Sequence, residues 1–333
     1  MTIEVSDTAD TASPIEDLVW DLIGSVDAGD VSFSEAADRV EAYQRTHCPV
    51  YGRFEGYRFL PVEAFKLATV TSFPADRAER VFVSSGTGSQ QRSRHYIADS
   101  RLYERSVLAG FDRAIAQRFD WQPGDVTILG HLPAYAQESS LVAMVSILIE
   151  KRGASGSQLF LEDTSCLDAV TRSDASGPVV LFGAAFGLLD LLDVRDWMLP
   201  TGSVVIETGG MKTHRREISR EALHHRLSSG FGVPQERVVS EYGMCELLSQ
   251  CYTDADTIFR TPPWMRHYVV DPTDPTRLCD EGQEGILAFM DLANVHTVSA
   301  VLTQDRAVSE NGGFRVLGRM AEAELRGCNF LLE

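Results

Sequence analysis

The feature that most constrains this chain is a succession of short apolar runs, each followed by a helical pattern. Residues 179–182 read VVLF, 204–208 read VVIET and 237–240 read RVVS. Side chains alternate across a pleated strand, so a run with no polar alternate belongs to a strand buried on both faces. Helical patterns fill the gaps at 186–192 and 219–228, the second opening on Ser219 like a capped helix. The same alternation is expected upstream. There 125–132 reads as a strand and 139–151 as a helix; before the alternation, 79–84 (ERVFVS) is a strand-like run and 99–119 a helix, with Leu102, Val107, Phe111, Ile115 and Phe119 near helical spacing. Strands separated by helices predict an α/β fold with a largely parallel sheet covered on both faces.

The flanks read differently. Residues 1–13 are rich in Thr, Asp, Ser and Ala and are expected to be a disordered tail, and 15–43 holds two helical patterns around Asp27 to Asp30. The string FLPVEAFK predicts a short helix leading into the core. Downstream, GILAFMDL, TVSAVLTQD and GFRVLG are short strands with turn signals between them. The predicted organisation is a tail over 1–13, an α/β core over 14–270 and a small β subdomain over 271–333.

A chain of 333 residues can bury a core without disulfides or metals. Its 30 Lys and Arg against 48 Asp and Glu leave a formal charge of −18, which argues against a nucleic-acid partner. No basic or apolar leader opens the sequence, and the longest apolar-leaning stretch, 141–149, is too short to span a bilayer; a cytoplasmic protein without a membrane span is expected. Six scattered cysteines without CxxC spacing fit reduced thiols better than a disulfide frame or a zinc site.

Three segments carry chemistry. Ser84-Ser85-Gly86-Thr87-Gly88-Ser89 follows a strand and offers hydroxyls and backbone N–H groups to phosphate, or forms a Ser/Gly turn. It lacks the ending of a Walker A loop. Arg92, Arg94 and His95 beyond it suit an anion or solvated surface alike. Glu241-Tyr242-Gly243-Met244-Cys245-Glu246 lies at a strand end, where open α/β sheets bind ligands. Tyr242 could stack on a base and Glu246 could hold Mg²⁺, or Glu246 could simply start a helix. Thr303-Gln304-Asp305, then Leu317-Gly318-Arg319 and Arg326-Gly327-Cys328, supply an Asp for hydroxyls and an Arg for phosphate, or a turn Asp and a surface Arg.

Together SSGT, ETGG, EYGMxE, TxD and GR stand in the order seen in adenylate-forming enzymes, the superfamily of acyl-CoA synthetases and firefly luciferase. The closest branch resembles acyl-protein synthetases, the LuxE-like activating subunit of the luminescence fatty acid reductase system. FLPVEAFK, LPAYAQESSLVAM, ETGGMKTHRREISREAL and VPQERVVSEYGMCELLSQ carry that likeness, from about Phe59 to Cys328. The resemblance implies the large-domain architecture of these enzymes and an ATP-dependent, Mg²⁺-assisted ligase. A carboxylic acid would become an acyl-adenylate, and a nucleophile would then take the acyl group. It assigns Ser84, Ser85, Gly86, Thr87 and Gly88 to the phosphate loop, and Gly209 and Gly210 to the loop passing adenine. Tyr242 becomes the adenine's stacking partner, with Gly243, Met244 and Cys245 beside it. Glu246 is the implied Mg²⁺ ligand and catalytic carboxylate, Asp305 the ribose clamp and Arg319 the ribose–phosphate contact. Cys328 aligns loosely with the cysteine that accepts the acyl group as a thioester.

Departures from the pattern are also legible. SSGTTG is here SSGTGS, and YGMTE is YGMCE. Larger relatives continue into a mobile domain carrying a catalytic Lys, expected to be absent here because the chain stops at Glu333 and its last Lys is Lys212. His131 and Tyr135 are candidates for the acyl pocket, with buried packing favoured. Two rival readings remain: a ligase passing the acyl group to an amine, a partner thiol or coenzyme A, and a non-catalytic nucleotide-binding partner protein.

Overall fold

The computed structural model describes residues 9–24, 30–85, 91–134, 136–172, 177–209 and 218–320. Its frame is one mixed sheet. From edge to edge it runs Asp274–Leu278, Met265–Asp271, Glu284–Asp291, Ala300–Glu310, Gly313–Arg319, Phe259–Arg260, Cys251–Thr253, Val238–Tyr242, Val204–Thr208, Val179–Ala184, Thr127–His131 and Gln158–Phe160. The last five strands are parallel, and those before them pair antiparallel.

The parallel half is the one that the apolar runs predict. Val180, Phe182, Val204, Ile206 and Val239 face one core, while Val179, Leu181, Val205 and Val238 face the other. The first core is closed by helices Ala9–Gly24, Asp30–His47, Ser100–Phe111 and Ser140–Arg152; the second by Ser165–Thr171, Ala185–Val194 and Arg220–Phe231. Ser219 caps the last of these by accepting from Ala222 N at 3.2 Å, and Gly232, at φ +67°, ends it in the left-handed conformation glycine adopts without strain. Burying such a strand on both sides contributes about 1.5–3 kcal/mol per large apolar side chain.

Three sequence expectations change. The helix Ala9–Gly24 begins inside the stretch 1–13 expected to be disordered. Docking of Val19, Leu22 and Ile23 on the core outweighs the poor local propensity there. The helix expected over 99–119 is α-helical only to Phe111 and continues as a π-helical turn, Asp112–Ala116, with Arg152 gripping both oxygens of Asp112. The boundary drawn between 270 and 271 falls inside the strand Met265–Asp271. The C-terminal strands join the parallel half through Cys251–Thr253 and Phe259–Arg260, which at three and two residues are too short to leave a periodic signal. Among the described residues no helix is long and apolar enough to cross a membrane, and Cys48, Cys166, Cys245, Cys251 and Cys279 are free thiols.

Candidate active site

The four strands Thr127–His131, Val179–Ala184, Val204–Thr208 and Val238–Tyr242 end on the same side of the sheet. Two glycines continue from those ends. Gly209, at φ +95°, turns the chain away from Val204–Thr208. At Gly243 a Cβ would stand 2.5 Å from Glu241 Oε1, so a side chain there would push the Glu241 carboxylate aside.

Residues far apart in sequence meet there. Tyr242 Oη donates to Asp305 Oδ2 at 2.8 Å, and Arg319 Nε donates to Asp305 Oδ1 at 3.3 Å. Asp305 and Arg319 are direct cross-strand partners in the ladder between Ala300–Glu310 and Gly313–Arg319. Tyr242 reaches them across the short strands Cys251–Thr253 and Phe259–Arg260, its ring among Phe259, Phe289 and Phe314 at centroid distances of 5.5–5.8 Å. Burial and the neighbouring Asp305 carboxylate push its phenol well above the ordinary range, so it is a hydrogen-bond donor at any working pH. Thr303 completes the turn, accepting from Asp305 N at 3.0 Å and donating to Leu287 O at 2.8 Å.

The segment 245–249 is held from three sides. His95 Nδ1 lies 2.7 Å from Cys245 O, and Asn294 Nδ2 donates to Glu246 O at 2.9 Å. Asp291 accepts from Leu248 N at 2.9 Å, Ser249 N at 3.0 Å and Ser249 Oγ at 2.6 Å. Burial raises the Asp291 carboxyl to about 6, against the pull of those donors. Glu246 is buried at the centre of this loop. Burial lifts its carboxyl above the usual range, while the Ser93 hydroxyl and the charges of Lys66 and Arg319 pull it back. Ser93 Oγ is itself buried without a full hydrogen bond among the described residues.

The acyl-protein synthetase family, LuxE, matches residues 52–333. This chain belongs to that family. No curated protein sequence matches it. Among solved structures, 2-hydroxyisobutyryl-CoA ligase in the postadenylation state with 2-HIB-AMP superposes with a TM-score of 0.65 at 14% identity, over 87% of this chain and 68% of the ligase. ATP-bound MatB from Rhodopseudomonas palustris gives 0.51 at 19% identity, over 74% of this chain and 49% of MatB. The luciferase-like enzyme of the nonluminescent mealworm Zophobas morio gives 0.51 at 15% identity, over 75% and 59%. The chain thus spans about half the length of MatB. The family is that of the acyl-protein synthetases, and the solved structures show that the chain shares the fold of these ligases and of the luciferase-like enzyme.

Within this LuxE family member, the remaining expected residues divide by position. Ser84 lies at the base of a hairpin between Arg80–Val83 and Arg94–Ile97, where its Oγ accepts from Ser93 N at 3.0 Å and its carbonyl from Arg92 Nε at 2.7 Å. Ser85 follows, exposed. Gly86, Thr87, Gly88, Tyr135, Gly210 and Cys328 lie outside the described residues. Met244 is half-buried against the core and Cys245 is buried, its thiol pushed far up by burial, so it holds its proton. His95 is no anion ligand. It is fully buried, pushed down to about 4 by desolvation, and braces Cys245 O and Thr297 Oγ1. His131 is buried against Phe160 at 4.9 Å, its Nδ1 without a partner among the described residues, in the space left by Gly183 and Gly187.

Four acidic and hydroxyl groups at the strand ends are given no role by the sequence analysis. Thr208 donates to Glu241, whose carboxyl burial raises to about 7. On the opposite face Ser240 donates to Glu207, and His224 Nε2 lies 3.0 Å from Ser240 Oγ. A Glu interrupting an apolar strand (VVIET, VVSEY) was the available signal, as was the lone Asp closing GILAFMD.

Proposed function

We propose that this chain activates a carboxylic acid with ATP as an acyl-adenylate and then passes the acyl group to a nucleophile. The single observation that carries the reading is the Tyr242–Asp305–Arg319 clamp. It gathers an aromatic, an ordered carboxylate and a guanidinium at the strand ends from three separate motifs. A carboxylate with spare lone pairs accepts two vicinal hydroxyls, as a ribose presents, while Arg319, half exposed beside it, suits phosphate oxygen. In the chemical step the acid's oxygen bonds to the α-phosphorus as the bond to pyrophosphate breaks. The nucleophile then adds at the acyl carbon and AMP leaves. Holding two anions in line and balancing the charge that develops is the whole task of such a site.

The residues present fit a Mg²⁺ ion. Mg²⁺ is commonly held by one or two carboxylates together with substrate phosphates, so a single buried Glu246 beside the Ser93 hydroxyl is a suitable donor set. When bound, the ion would neutralise charge on the phosphates. His95, Asn294 and Asp291 fix the backbone of the loop that carries Glu246, so the carboxylate is positioned before substrate arrives. Cys245 does not suit the role of acyl acceptor, because a thiol held protonated by burial is a poor nucleophile. Cys328, with Arg326 to favour its thiolate, is the proposed acceptor, against a partner thiol, an amine or coenzyme A.

The reading is tested by pyrophosphate release with ATP, Mg²⁺ and a panel of fatty and aromatic acids, with and without thiol and amine acceptors. Release that depends on both the acid and ATP supports it. No release with any acid, from a preparation that also binds neither ATP nor AMP, rejects it.

A further inference from the structure

Only three of the chain's 30 cationic residues are lysines, and one of them, Lys66, lies in the short helix Ala64–Leu67. Two anchors fix that helix against the candidate active site. On one side the preceding strand Leu60–Pro61 runs parallel to Ala300–Glu310, with Pro61 opposite Leu302. Val62 N donates to Leu302 O at 2.9 Å, three residues before Asp305. On the other side the buried Phe65 ring meets His95 edge-on at 5.6 Å, and His95 braces Cys245 O, next to Glu246. Lys66 therefore adjoins a residue packed under the Glu246 loop, and it follows a strand paired with the one that carries Asp305.

Charge places the ammonium more closely. Lys66 and Arg319 both act on the buried Glu246 carboxyl, and both act on Glu63, the residue before the helix. Two cations and two acids thus share one neighbourhood, which Arg319 ties to Asp305 through its Nε. Arg92, whose charge acts on Cys245, approaches the same loop from the hairpin. In a protein of formal charge −18, such a gathering concentrates positive potential at one place. The two acids do not use up Lys66. Among the described residues no carboxylate lies within salt-bridge distance of its ammonium. Lys66 is half-buried, and its flexible four-carbon stem leaves the head free to meet a ligand.

We propose that Lys66 is a further substrate-binding residue of this site, its ammonium meeting the polyphosphate oxygens of ATP beside Glu246. This rests on the adenylation reading above. It orders the cations along the nucleotide: Asp305 takes the ribose, Arg319 beside it the nearest phosphate, and Lys66, which shares Glu246 with Arg319, the phosphates that leave as pyrophosphate. An ammonium is a compact point charge with three donors, a form suited to phosphate oxygen. As the bond between the α-phosphorus and pyrophosphate breaks, negative charge grows on the leaving oxygens. A cation already held there stabilises that state more than it stabilises bound ATP.

Calorimetry of the full chain with AMP and with α,β-methylene-ATP plus Mg²⁺ separates the leaving phosphates from the rest of the nucleotide. Lys66→Met keeps the length and removes the charge. It weakens the ATP analogue about tenfold or more and changes AMP affinity by less than about twofold. A lysine that merely holds the fold would weaken both ligands alike. Lys66→Arg restores a cation and binds the analogue within about threefold of wild type. Lys151→Met makes the same change of net charge on the helix Ser140–Arg152 and leaves both affinities unaltered. Should Lys66→Met fail to fold, Lys66→Gln makes the same comparison. The proposal is overturned if the neutral variant leaves the analogue's affinity unchanged, if it weakens AMP equally, or if the wild type binds AMP but not the analogue. A wild type that binds neither nucleotide overturns the adenylation reading and the role of Lys66 with it, whereas nucleotide binding indifferent to Lys66 removes the lysine alone.

Discussion

Replacing Tyr242 by Phe removes one hydroxyl and asks whether the clamp works as a unit. The bond it deletes is 2.8 Å long and ends on a side chain only 14% exposed. A hydrogen bond to a charged acceptor in such a place is worth about 1.5–3 kcal/mol. The Arg319 contact on the other oxygen is 3.3 Å long and half exposed, so solvent screening holds it to about 0.2–1 kcal/mol. In urea unfolding, Tyr242→Phe should therefore cost about 1.5–3 kcal/mol and Arg319→Ala under about 1 kcal/mol. Tyr242→Phe and Asp305→Ala together should cost less than the sum of the two singles, with a coupling of about 1 kcal/mol or more. Residues that do not touch add to within about 0.3–0.5 kcal/mol, so a coupling below that refutes the clamp itself. The nucleotide role is read separately by calorimetry with AMP. Asp305→Ala should weaken AMP by about 1.5–3 kcal/mol, about tenfold to a hundredfold. Unchanged AMP affinity in that variant would leave the clamp standing and remove the ribose from it.

Three further outcomes are expected. Glu246→Gln keeps the shape and removes a charge that burial disfavours, so thermal unfolding should not fall, while pyrophosphate release drops at least about tenfold; a fully active variant rejects the metal role. His95, fully buried, stays neutral in the fold down to about pH 4, whereas in the unfolded chain it takes up its proton near 6.5. Between those values the unfolded state binds the extra proton, so the His95 contribution to stability falls as pH falls, by about 3 kcal/mol across the window, opposed by Asp291 and Glu241, whose raised carboxyls take up protons in the fold first. His95→Gln should flatten that part of the urea-midpoint profile, and an unaltered slope would show that another group sets it. Finally, intact-mass spectrometry after incubation with ATP and a turned-over acid should show a hydroxylamine-labile adduct that Cys328→Ser loses, whereas undiminished turnover in that variant removes Cys328 from the mechanism.

Much of the site was legible because its chemistry sits on short strings with fixed order. The Glu241 to Glu246 string, Asp305 and Arg319 could be named from sequence, since strand-end carboxylates and aromatics carry their own signal. His95, Asn294 and Asp291 could not be given their roles. Each acts through a backbone carbonyl or amide of the segment 245–249, at sequence separations of 150, 48 and up to 43, and no local pattern records that distance. His95 even misled: beside Arg92 and Arg94 it reads as part of a basic strip, yet the hairpin turns it inward while Arg94 faces solvent.

The sequence by itself determined the parallel half of the sheet, because VVLF, VVIET and RVVS leave strands no exposed face. It also determined the cap of the helix Arg220–Phe231 and the turn after Val204–Thr208, because Ser219 and Gly209 act through their own backbone neighbourhood. Tertiary structure alone decided that the C-terminal strands belong to the same sheet, since the connecting strands of three and two residues are stabilised by their neighbours rather than by their own periodicity. It alone decided which buried carboxyls lie above their ordinary range. Desolvation depends on what packs around Glu241, Glu246 and Asp291, and that packing is set by residues from every part of the chain.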